Sequence, residues 1–242
     1  MAGTAVVAMR CADDHEHVPA VVDGVQAMLA AGHGVVLVSP GDPAACAALA
    51  IGTTRSGRQA VPIVAHTLVD PADPAFAHPG GARDPAPLGI LEAEAIATLV
   101  GSGFPVVVSA HVPVVPCGDA YRSVQAVLDD SAAAQRLAGD LGALALVFVV
   151  GDDELQPGDG PTPGEIDVTE AEGWAAAEPR LAPELRAAVR FLRAGGQLAV
   201  VTTPAHLAAA LDSSNGAPAL RIHRELPRPR PSEAPVLAAG WC

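Results

Sequence analysis

Short apolar runs alternate with helix-like stretches along most of the chain. Runs rich in Val, Ala and Leu predict buried strands at 4–9, 34–38, 60–69, 105–109, 143–150 and 197–202. Apolar positions with helical spacing predict helices at 18–31, 44–50, 88–101, 123–141, 183–194 and 204–211. Strands that are apolar throughout are typical of a parallel sheet covered on both faces. The order therefore predicts an α/β fold, a three-layer αβα sandwich with a mainly parallel central sheet.

Two segments depart from this order. Residues 152–169 are acidic and rich in Pro and Gly, which predicts a surface loop. Residues 227–242 contain four prolines and predict a flexible tail, with an extended arm lying on a partner as the alternative. We expect a single domain over residues 1–226, followed by this tail.

The charge balance limits the classes of partner. The chain of 242 residues has 27 acidic side chains against 14 basic ones, a formal net charge of −13. Because nothing offsets phosphate repulsion, neither a nucleic acid nor an anionic membrane is expected as a partner. All 14 basic residues are arginine, and with 23 Pro and 24 Gly this composition is typical of a GC-rich, bacterial coding sequence.

The sequence also lacks the patterns typical of membrane-spanning, secreted, zinc-binding or disulfide-rich proteins. No apolar stretch reaches the roughly 18–20 residues that span a bilayer, and the N-terminus shows no basic region followed by a long apolar segment. The 4 cysteines are scattered, without the spacing of a zinc site or a disulfide framework. We expect a reduced cytoplasmic protein.

Ligands of doubly wound sheets bind at the carboxyl ends of the strands. That rule selects the loops 10–17, 39–43, 109–116, 151–155 and 202–203. Arg10 is a candidate clamp for a carboxylate or phosphate, or else the partner of Asp42 or Asp153 in an ion pair. The other candidate ligand-binding residues are Ser39, Gly41, Asp42, Ser109 and Asp153.

Histidines and paired acids are the candidates for acid/base chemistry. His111, at a strand end, is the best single candidate because imidazole ordinarily titrates near neutral pH; an exposed loop histidine is the alternative. Asp129 and Asp130 would share a proton or a cation, or would stabilise a helix N-terminus. The cluster Asp-Asp-His-Glu-His at 13–17 would suit a transition metal or a charged helix start, and we assign no metal site. His66 is predicted to be a packed core residue.

Several segments resemble one family of kinases. The stretch LVDPADPAF at 68–76 resembles a sequence of carbamate kinases, the amino-acid-kinase family members that move phosphate between ATP and carbamate. Similar family segments match, in the same order, PLGILEAEAIATLVGSGFPVVV at 87–108, VQAVLDDSAAAQRLAGDLGA at 124–143 and APELRAAVRFLRAGGQLAVVT at 182–202. The resemblance runs from Val6 to about Ile222. It implies the amino-acid-kinase fold, a site for Mg-ATP and carbamate, and a homodimer.

The catalytic loops depart from the family pattern. Where the resemblance implies two phosphate-facing lysines, this chain has Asp130 and Glu184. The glycine-rich stretches that offer backbone donors to phosphate are replaced at 10–12, 39–43 and 109–111. Exchanging a cation for an anion about 4 Å from phosphate changes the interaction by several kcal/mol. The lid subdomain that carbamate kinases place after residue 76 is truncated here near 77–87.

Three hypotheses follow from these departures. In the first, the protein has lost phosphoryl transfer, and we expect no cofactor. It would then bind a small metabolite in the former active-site crevice, or a protein partner through the family's dimer surface. In the second, it is an enzyme of another class, in a specialised biosynthetic pathway, with His111, Asp129, Asp130 and Glu184 in acid/base roles. In the third, it remains an Mg-ATP-dependent kinase in which Arg10 or Arg122 replaces the lysines.

Overall fold

The structure is a computed structural model, and it describes residues 3–10, 17–39, 43–54, 59–77, 82–83, 85–155, 164–212 and 219–225. In chain order the elements are β1 (Thr4–Met9), α1 (Val18–Ala30), β2 (Gly34–Val38), α2 (Pro43–Thr54), β3 (Val61–Val69), β4 (Ala82–Arg83), β5 (Pro87–Ile90), α3 (Ala93–Gly101), β6 (Val106–Cys117), β7 (Ala120–Ser123), β8 (Ala126–Val127), α4 (Asp130–Asp140), β9 (Ala145–Val149), β10 (Gly164–Asp167), α5 (Val168–Ala177), α6 (Ala182–Arg193), β11 (Leu198–Thr202) and β12 (Ala219–His223). Short 3₁₀ helices lie at Pro74–Ala77 and Pro204–Ala209.

One large sheet organises the described residues. Its strands follow the order β10-β12-β11-β9-β1-β2-β6-β3-β5, and β7 pairs with β6 beside this path. Adjacent strands are parallel except at β11–β12, β3–β5 and β6–β7. The short strands β4 and β8 form a separate parallel pair. The prediction of an α/β fold with a mainly parallel sheet is confirmed.

Helices cover both faces of this sheet. Helices α3 to α6 pack on one face, where Leu137 and Phe191 join the buried side chain of Leu146. Helices α1 and α2, with the 3₁₀ helix Pro204–Ala209, pack on the other face, which buries Val147. Because Leu146 and Val147 are neighbours that face opposite layers, the strand has to be apolar at every position. Within the described residues, no helix is both long and apolar enough to cross a membrane.

The ends of the helices follow local sequence signals. Pro19 and Pro183 lie in the first turns of α1 and α6, where a missing backbone N–H costs nothing. Gly142 and Gly195 follow α4 and α6 with φ of 57° and 117°, in the left-handed region that suits glycine. These signals set where the helices begin and end. The N-terminal ends of α4 and α6 lie close together, since Ser131 of α4 contacts Glu184 of α6.

Several predicted boundaries were wrong. The predicted helix 123–141 begins only at Asp130, and the residues before it form β7 and β8. The first part of the predicted helix 88–101 is β5, which pairs with β3. The stretch 152–169, predicted as a loop, contains β10 and the start of α5, and the strand β12 was not predicted. Residues 227–242 lie outside the described residues, so the tail stays a prediction.

Strand β6 is longer than its apolar run indicated. It extends over Val106–Cys117 instead of ending at Ser109, because β3 and β7 continue to pair with it. A register shift between Ile63 and Val64 of β3 marks the point where the pair leaves the central sheet. His111 therefore lies within a strand, beyond this shift.

Candidate functional site

The carboxyl ends of four neighbouring strands lie in one row. Met9 of β1 pairs with Val149 of β9, and Thr202 of β11 pairs with the same Val149. On the other side, the pairing of Ala8 with Val38 places Ser39 next to Met9. The loops after these strands therefore meet at one edge of the sheet, where α/β folds bind ligands.

Arg10 follows β1 and contacts three residues from other parts of the chain. Its Nη1 lies 3.2 Å from Oε1 of Glu154, in the loop after β9, and 3.5 Å from Oε2 of Glu184, in the first turn of α6. The same nitrogen donates to the backbone carbonyl of Arg180. The predicted ion pair of Arg10 with Asp153 was wrong, since Glu154 takes that place, and Asp42 lies outside the described residues.

Glu184 is the most deeply buried acid of this site. Its side chain is 3% exposed, against 39% for Arg10. Burial raises the pKa of Glu184; its own backbone N–H and the Arg10 guanidinium oppose this rise, and the negative charges of Glu154 and Asp129 add to it. The Ser131 hydroxyl donates to Oε1 of Glu184 at 3.4 Å. Glu184 therefore ties the N-terminal ends of α4 and α6 to the end of β1.

Asp129 and Asp130 have different environments. Asp129 is the N-cap of α4, and its Oδ1 accepts from the backbone N–H groups of Ser131 at 2.8 Å and Ala132 at 3.2 Å. Asp130 is the first residue of the helix. Burial, followed by the negative charge of Asp129, raises the pKa of Asp130. The helix-start interpretation of Asp129 therefore has a geometric basis, and a chemical role of either acid stays a prediction.

His111 belongs to a second group of polar side chains. Its Nδ1 is hydrogen-bonded to Oγ1 of Thr67 at 3.0 Å, and its buried Nε2 has no hydrogen-bond partner among the described residues. Burial lowers the pKa of His111 to about 4, and the negative charge of Glu92 only partly opposes this. The expectation that His111 titrates near neutral pH was wrong, because the buried ring loses the hydration that stabilises its cation.

His66 lies beside this group and is not a core residue. Its side chain is 42% exposed, and Nδ1 lies 2.6 Å from Oε1 of Glu92. The other carboxylate oxygen of Glu92 accepts from the backbone N–H of His66 at 2.7 Å. The prediction of a packed core histidine failed because β3 leaves this face uncovered beyond its register shift with β6.

Hydroxyl groups line the row of strand ends. Ser39, Thr202 and Thr203 are each at most 4% exposed. None of their hydroxyl oxygens has a hydrogen-bond partner within the described residues. Ser109 differs, because its hydroxyl donates to the carbonyl of Ile63 at the register shift. Buried hydroxyls without a hydrogen-bond partner are uncommon in folded proteins, so these three set this edge of the sheet apart from the rest of the core.

Sequence comparisons relate the chain to one family. It is 37% identical to a carbamate kinase of Halobacterium salinarum over 142 residues, which cover 54% of this chain and 46% of that protein. It is 32% identical to a carbamate kinase of Clostridium perfringens, with the same two coverages. It is also 30% identical to a carbamate kinase-like protein of Escherichia coli over 66% of this chain and 65% of that protein. No family model matches the sequence.

Structure comparison decides the fold. The carbamate kinase of Giardia lamblia bound to AMP-PNP superposes with a TM-score of 0.74 at 22% identity, covering 93% of this chain and 99% of that structure. The present chain is a carbamate-kinase-like protein with the amino-acid-kinase fold. An N-acetylglutamate synthase of Neisseria gonorrhoeae also shares the fold, with a TM-score of 0.68 at 15% identity over 92% of this chain and 60% of that structure. The chain spans about half the length of the first two curated relatives.

The carbamate-kinase-like chain brings together only part of the predicted site. Arg10, Asp129 and Glu184 belong to one network, with Asp130 beside it. His111 is in a different group, and no contact among the described residues links it to Glu184. Asp153 is exposed in the loop after β9. Gly41 and Asp42 lie outside the described residues.

Two acidic residues that interact with the predicted site residues were not predicted from the sequence. Glu154 was treated as one residue of an acidic loop. Its position shortly after a buried strand, like that of Arg10, is the signal that could have identified it. Glu92 was hidden within a predicted helix. In the described part of the carbamate-kinase-like chain, no group of three or more His, Cys, Asp or Glu side chains could hold a metal ion, and residues 13–16 lie outside that part.

Proposed function

We propose that this carbamate-kinase-like protein binds a small metabolite without phosphate groups in its crevice and does not transfer phosphoryl groups from ATP. The observation that carries the proposal is the buried carboxyl of Glu184, which pairs with Arg10 at the end of β1. By the resemblance, carbamate kinases have a lysine facing ATP phosphate at this position.

The charges around Glu184 support the loss of phosphoryl transfer. Glu154 and Asp129 add negative charge beside it, and Arg10 is the cation that opposes them. A nucleotide phosphate placed here would meet these carboxylates, and phosphoryl transfer depends on positive charge around the equatorial oxygens. Turning Arg10 toward a phosphate would also take the ion-pair partner from a buried acid, which costs free energy.

The buried hydroxyls support binding of an uncharged polar group. Ser39, Thr202 and Thr203 offer neutral donors, which favour carbonyl or hydroxyl oxygens of a ligand. A ligand that lacks these oxygens leaves the donors unpaired, which costs about 1–3 kcal/mol for each buried group. Discrimination between related metabolites would follow from these hydroxyls.

A divergent ATP-dependent kinase is the second candidate function. The observation that favours it is the 39% exposure of Arg10, whose guanidinium reaches solvent at the strand end. In this alternative Arg10 takes over the role of a missing lysine. A guanidinium binds phosphate oxygens in a bidentate manner, so the exchange of lysine for arginine is chemically reasonable.

Calorimetry and a product assay separate the two candidates. We expect no saturable heat with Mg-ATP or Mg-AMP-PNP, and no ADP formation when carbamate is present. An active carbamate kinase in the same assay is the positive control. Saturable nucleotide binding together with carbamate-dependent ADP formation would overturn the proposal and establish the kinase alternative.

A thermal-shift screen of small metabolites tests the binding role directly. We expect a phosphate-free compound to raise the melting temperature of the wild type and to lose this effect in Thr202→Val, which removes a buried hydroxyl. Thr98→Val is the matched control, because the Thr98 hydroxyl donates to the carbonyl of Glu94 on an exposed face of α3. Equal ligand responses of the two variants would contradict the assignment of the strand-end hydroxyls. The homodimer stays a prediction from the resemblance, and equilibrium sedimentation that gives a monomer would remove it.

A further inference from the structure

The exposed face of α6 is lined with arginine. Leu185 and Leu192 of this helix are fully buried against the core, whereas Arg186, Arg190 and Arg193 are exposed. The three arginines are four and three residues apart, so they follow one another along one side of the helix. The chain has 27 acidic residues and 14 arginines, so most exposed faces should carry more acids than arginines. This face of α6 carries three arginines and no acid.

A groove runs between this arginine face and α5. Its volume is about 340 Å³, and Ala175, Ala176 and Val189 form its floor. Arg186 and Arg190 lie along its rim. The short alanine side chains leave room above the floor, so an inserted side chain would contact apolar carbon and lie between guanidinium groups.

Within the part of the chain that the structure describes, one of the three arginines has a counterion. The guanidinium of Arg193 is held by Glu172 of α5 through two contacts of 2.8 Å. The side chains of Arg186 and Arg190 have no ion pair or hydrogen bond with the described residues. Farther along α5, Ala176 and Ala177 occupy exposed positions where an acid would supply a counterion. The groove therefore keeps two cations unpaired above an apolar floor.

We propose that the α5–α6 groove, where Arg186 and Arg190 lie beside Ala175, Ala176 and Val189, docks a short acidic segment of a protein partner. The groove is also lined by Glu172 and Arg193, which neutralise each other in an ion pair. Charge complementarity decides the occupant: two guanidiniums about 6 Å apart along the helix match carboxylates two residues apart in an extended peptide. The aliphatic side chain between those carboxylates points to the opposite face of an extended peptide, toward the apolar floor, and the carboxylates meet the guanidiniums at the rim. This surface is separate from the strand-end crevice, so the docking does not depend on the function proposed above.

Fluorescence anisotropy with a labelled eight-residue peptide of alternating glutamate and leucine tests the docking. We expect saturable binding to the full chain, and at least a tenfold loss of affinity in Arg186→Glu and in Arg190→Glu. Arg122→Glu on the exposed strand β7 changes the net charge by the same amount and should alter the affinity less than twofold. This control separates the local contact from the long-range repulsion between an acidic protein and an acidic peptide.

A charge-reversed peptide makes the test independent of folding defects. The double variant Arg186→Glu/Arg190→Glu should bind the same peptide with lysine in place of glutamate, and at least tenfold more tightly than the wild type does. Absence of saturable binding of the acidic peptide to the wild type overturns the proposal. An equal loss in Arg122→Glu also overturns it. Arginine-dependent binding of citrate alone, or of phosphatidylserine vesicles without peptide binding, would assign the groove to small anions or to a membrane instead.

Discussion

Nη1 of Arg10 lies 3.5 Å from Oε2 of Glu184, so an exposed guanidinium neutralises an acid that is almost completely buried. The two residues are 174 positions apart in the chain and join the end of β1 to the first turn of α6. The pair lies at the carboxyl edge of the sheet, where α/β folds generally bind ligands. Its charge state therefore affects both stability and ligand choice.

Removing the cation of this pair should destabilise the protein. We expect Arg10→Met to lower the free energy of unfolding by about 1–2 kcal/mol at pH 8, since Glu184 then loses its counterion. The loss should be smaller at pH 5, where a buried carboxyl takes up a proton instead. Urea unfolding at both pH values measures the effect.

The double variant Arg10→Met/Glu184→Leu checks the cause. It should recover most of the lost stability, because both charges are replaced by apolar groups. Arg193→Met is the control for loss of an exposed ion pair, since Arg193 contacts Glu172 of α5 and both side chains are exposed. A double variant that is as unstable as Arg10→Met alone would show that lost packing, and not the unpaired acid, is responsible.

Neutralising Glu184 should change the pH dependence of stability. Burial raises the pKa of Glu184 above that of the unfolded chain. Below the unfolded value both states are protonated; above it, only the unfolded state ionises until the raised pKa is reached, so this residue lowers stability as pH increases. Each unit of the rise corresponds to about 1.4 kcal/mol. Glu184→Gln should therefore gain stability relative to the wild type from about pH 4.5 upward.

Unfolding titrations between pH 4 and pH 8 measure this gain. Glu165→Gln, at an exposed position of β10, is the matched control for the loss of one carboxyl group. If the difference between Glu184→Gln and the wild type is the same at every pH, the raised pKa of Glu184 is refuted.

Much of the sheet could be predicted from the sequence because its strands are buried on both sides. Predicted strands at 4–9 and 34–38 coincide with β1 and β2, and β9 and β11 differ from prediction by one or two residues. The strands that were missed have no such signal. All four residues of β7 are exposed, and β5 precedes a helix whose apolar spacing extends into it. These strands depend on pairing with β6 and β3, which local sequence does not contain.

The sequence could predict where the site lies in the fold, but not which residues of the site contact each other. The rule that ligands bind at strand ends selected Arg10 and Ser39, and the resemblance selected Glu184. Their partners come from distant parts of the chain, so Glu154 could not be chosen over the neighbouring Asp153 without coordinates. The low pKa of His111 likewise depends on burial, which no spacing in the sequence reveals.

His111 should lose its charge far below neutral pH. With a pKa of about 4 in the folded protein and about 6.5 in the unfolded chain, stability is reduced below pH 4 and rises as pH increases from 4 to 6.5. The contribution of this residue is on the order of 3 kcal/mol. NMR titration should place the midpoint of the His111 ring signals near pH 4, and His111→Gln should lack this part of the stability increase. The same substitution at His206 controls for loss of one histidine, and a His111 midpoint above pH 6 would contradict the burial argument.

Asp129 should stabilise the protein by capping α4, and its charge should raise the pKa of neighbouring acids. Two substitutions separate these effects. Asp129→Ala removes the acceptor for the N–H groups of Ser131 and Ala132 and should cost about 1 kcal/mol. Asp129→Asn keeps the acceptor but removes a negative charge that raises the pKa of both Asp130 and Glu184. The asparagine variant should therefore be at least as stable as the wild type at pH 7.

Asp167 provides the comparison for Asp129. It caps α5 with the same geometry, since its Oδ1 accepts from the N–H groups of Thr169 at 2.8 Å and Glu170 at 2.9 Å, and it lies at an exposed position. The alanine substitutions at Asp129 and Asp167 should be similarly costly in urea unfolding, because each removes one cap. Only Asp129→Asn should show a relative gain that grows with pH, because the charge of Asp129 raises the pKa of Asp130 and of Glu184. If Asp129→Asn instead abolishes turnover of an identified substrate without changing stability, Asp129 takes part in chemistry and capping is the lesser of its roles.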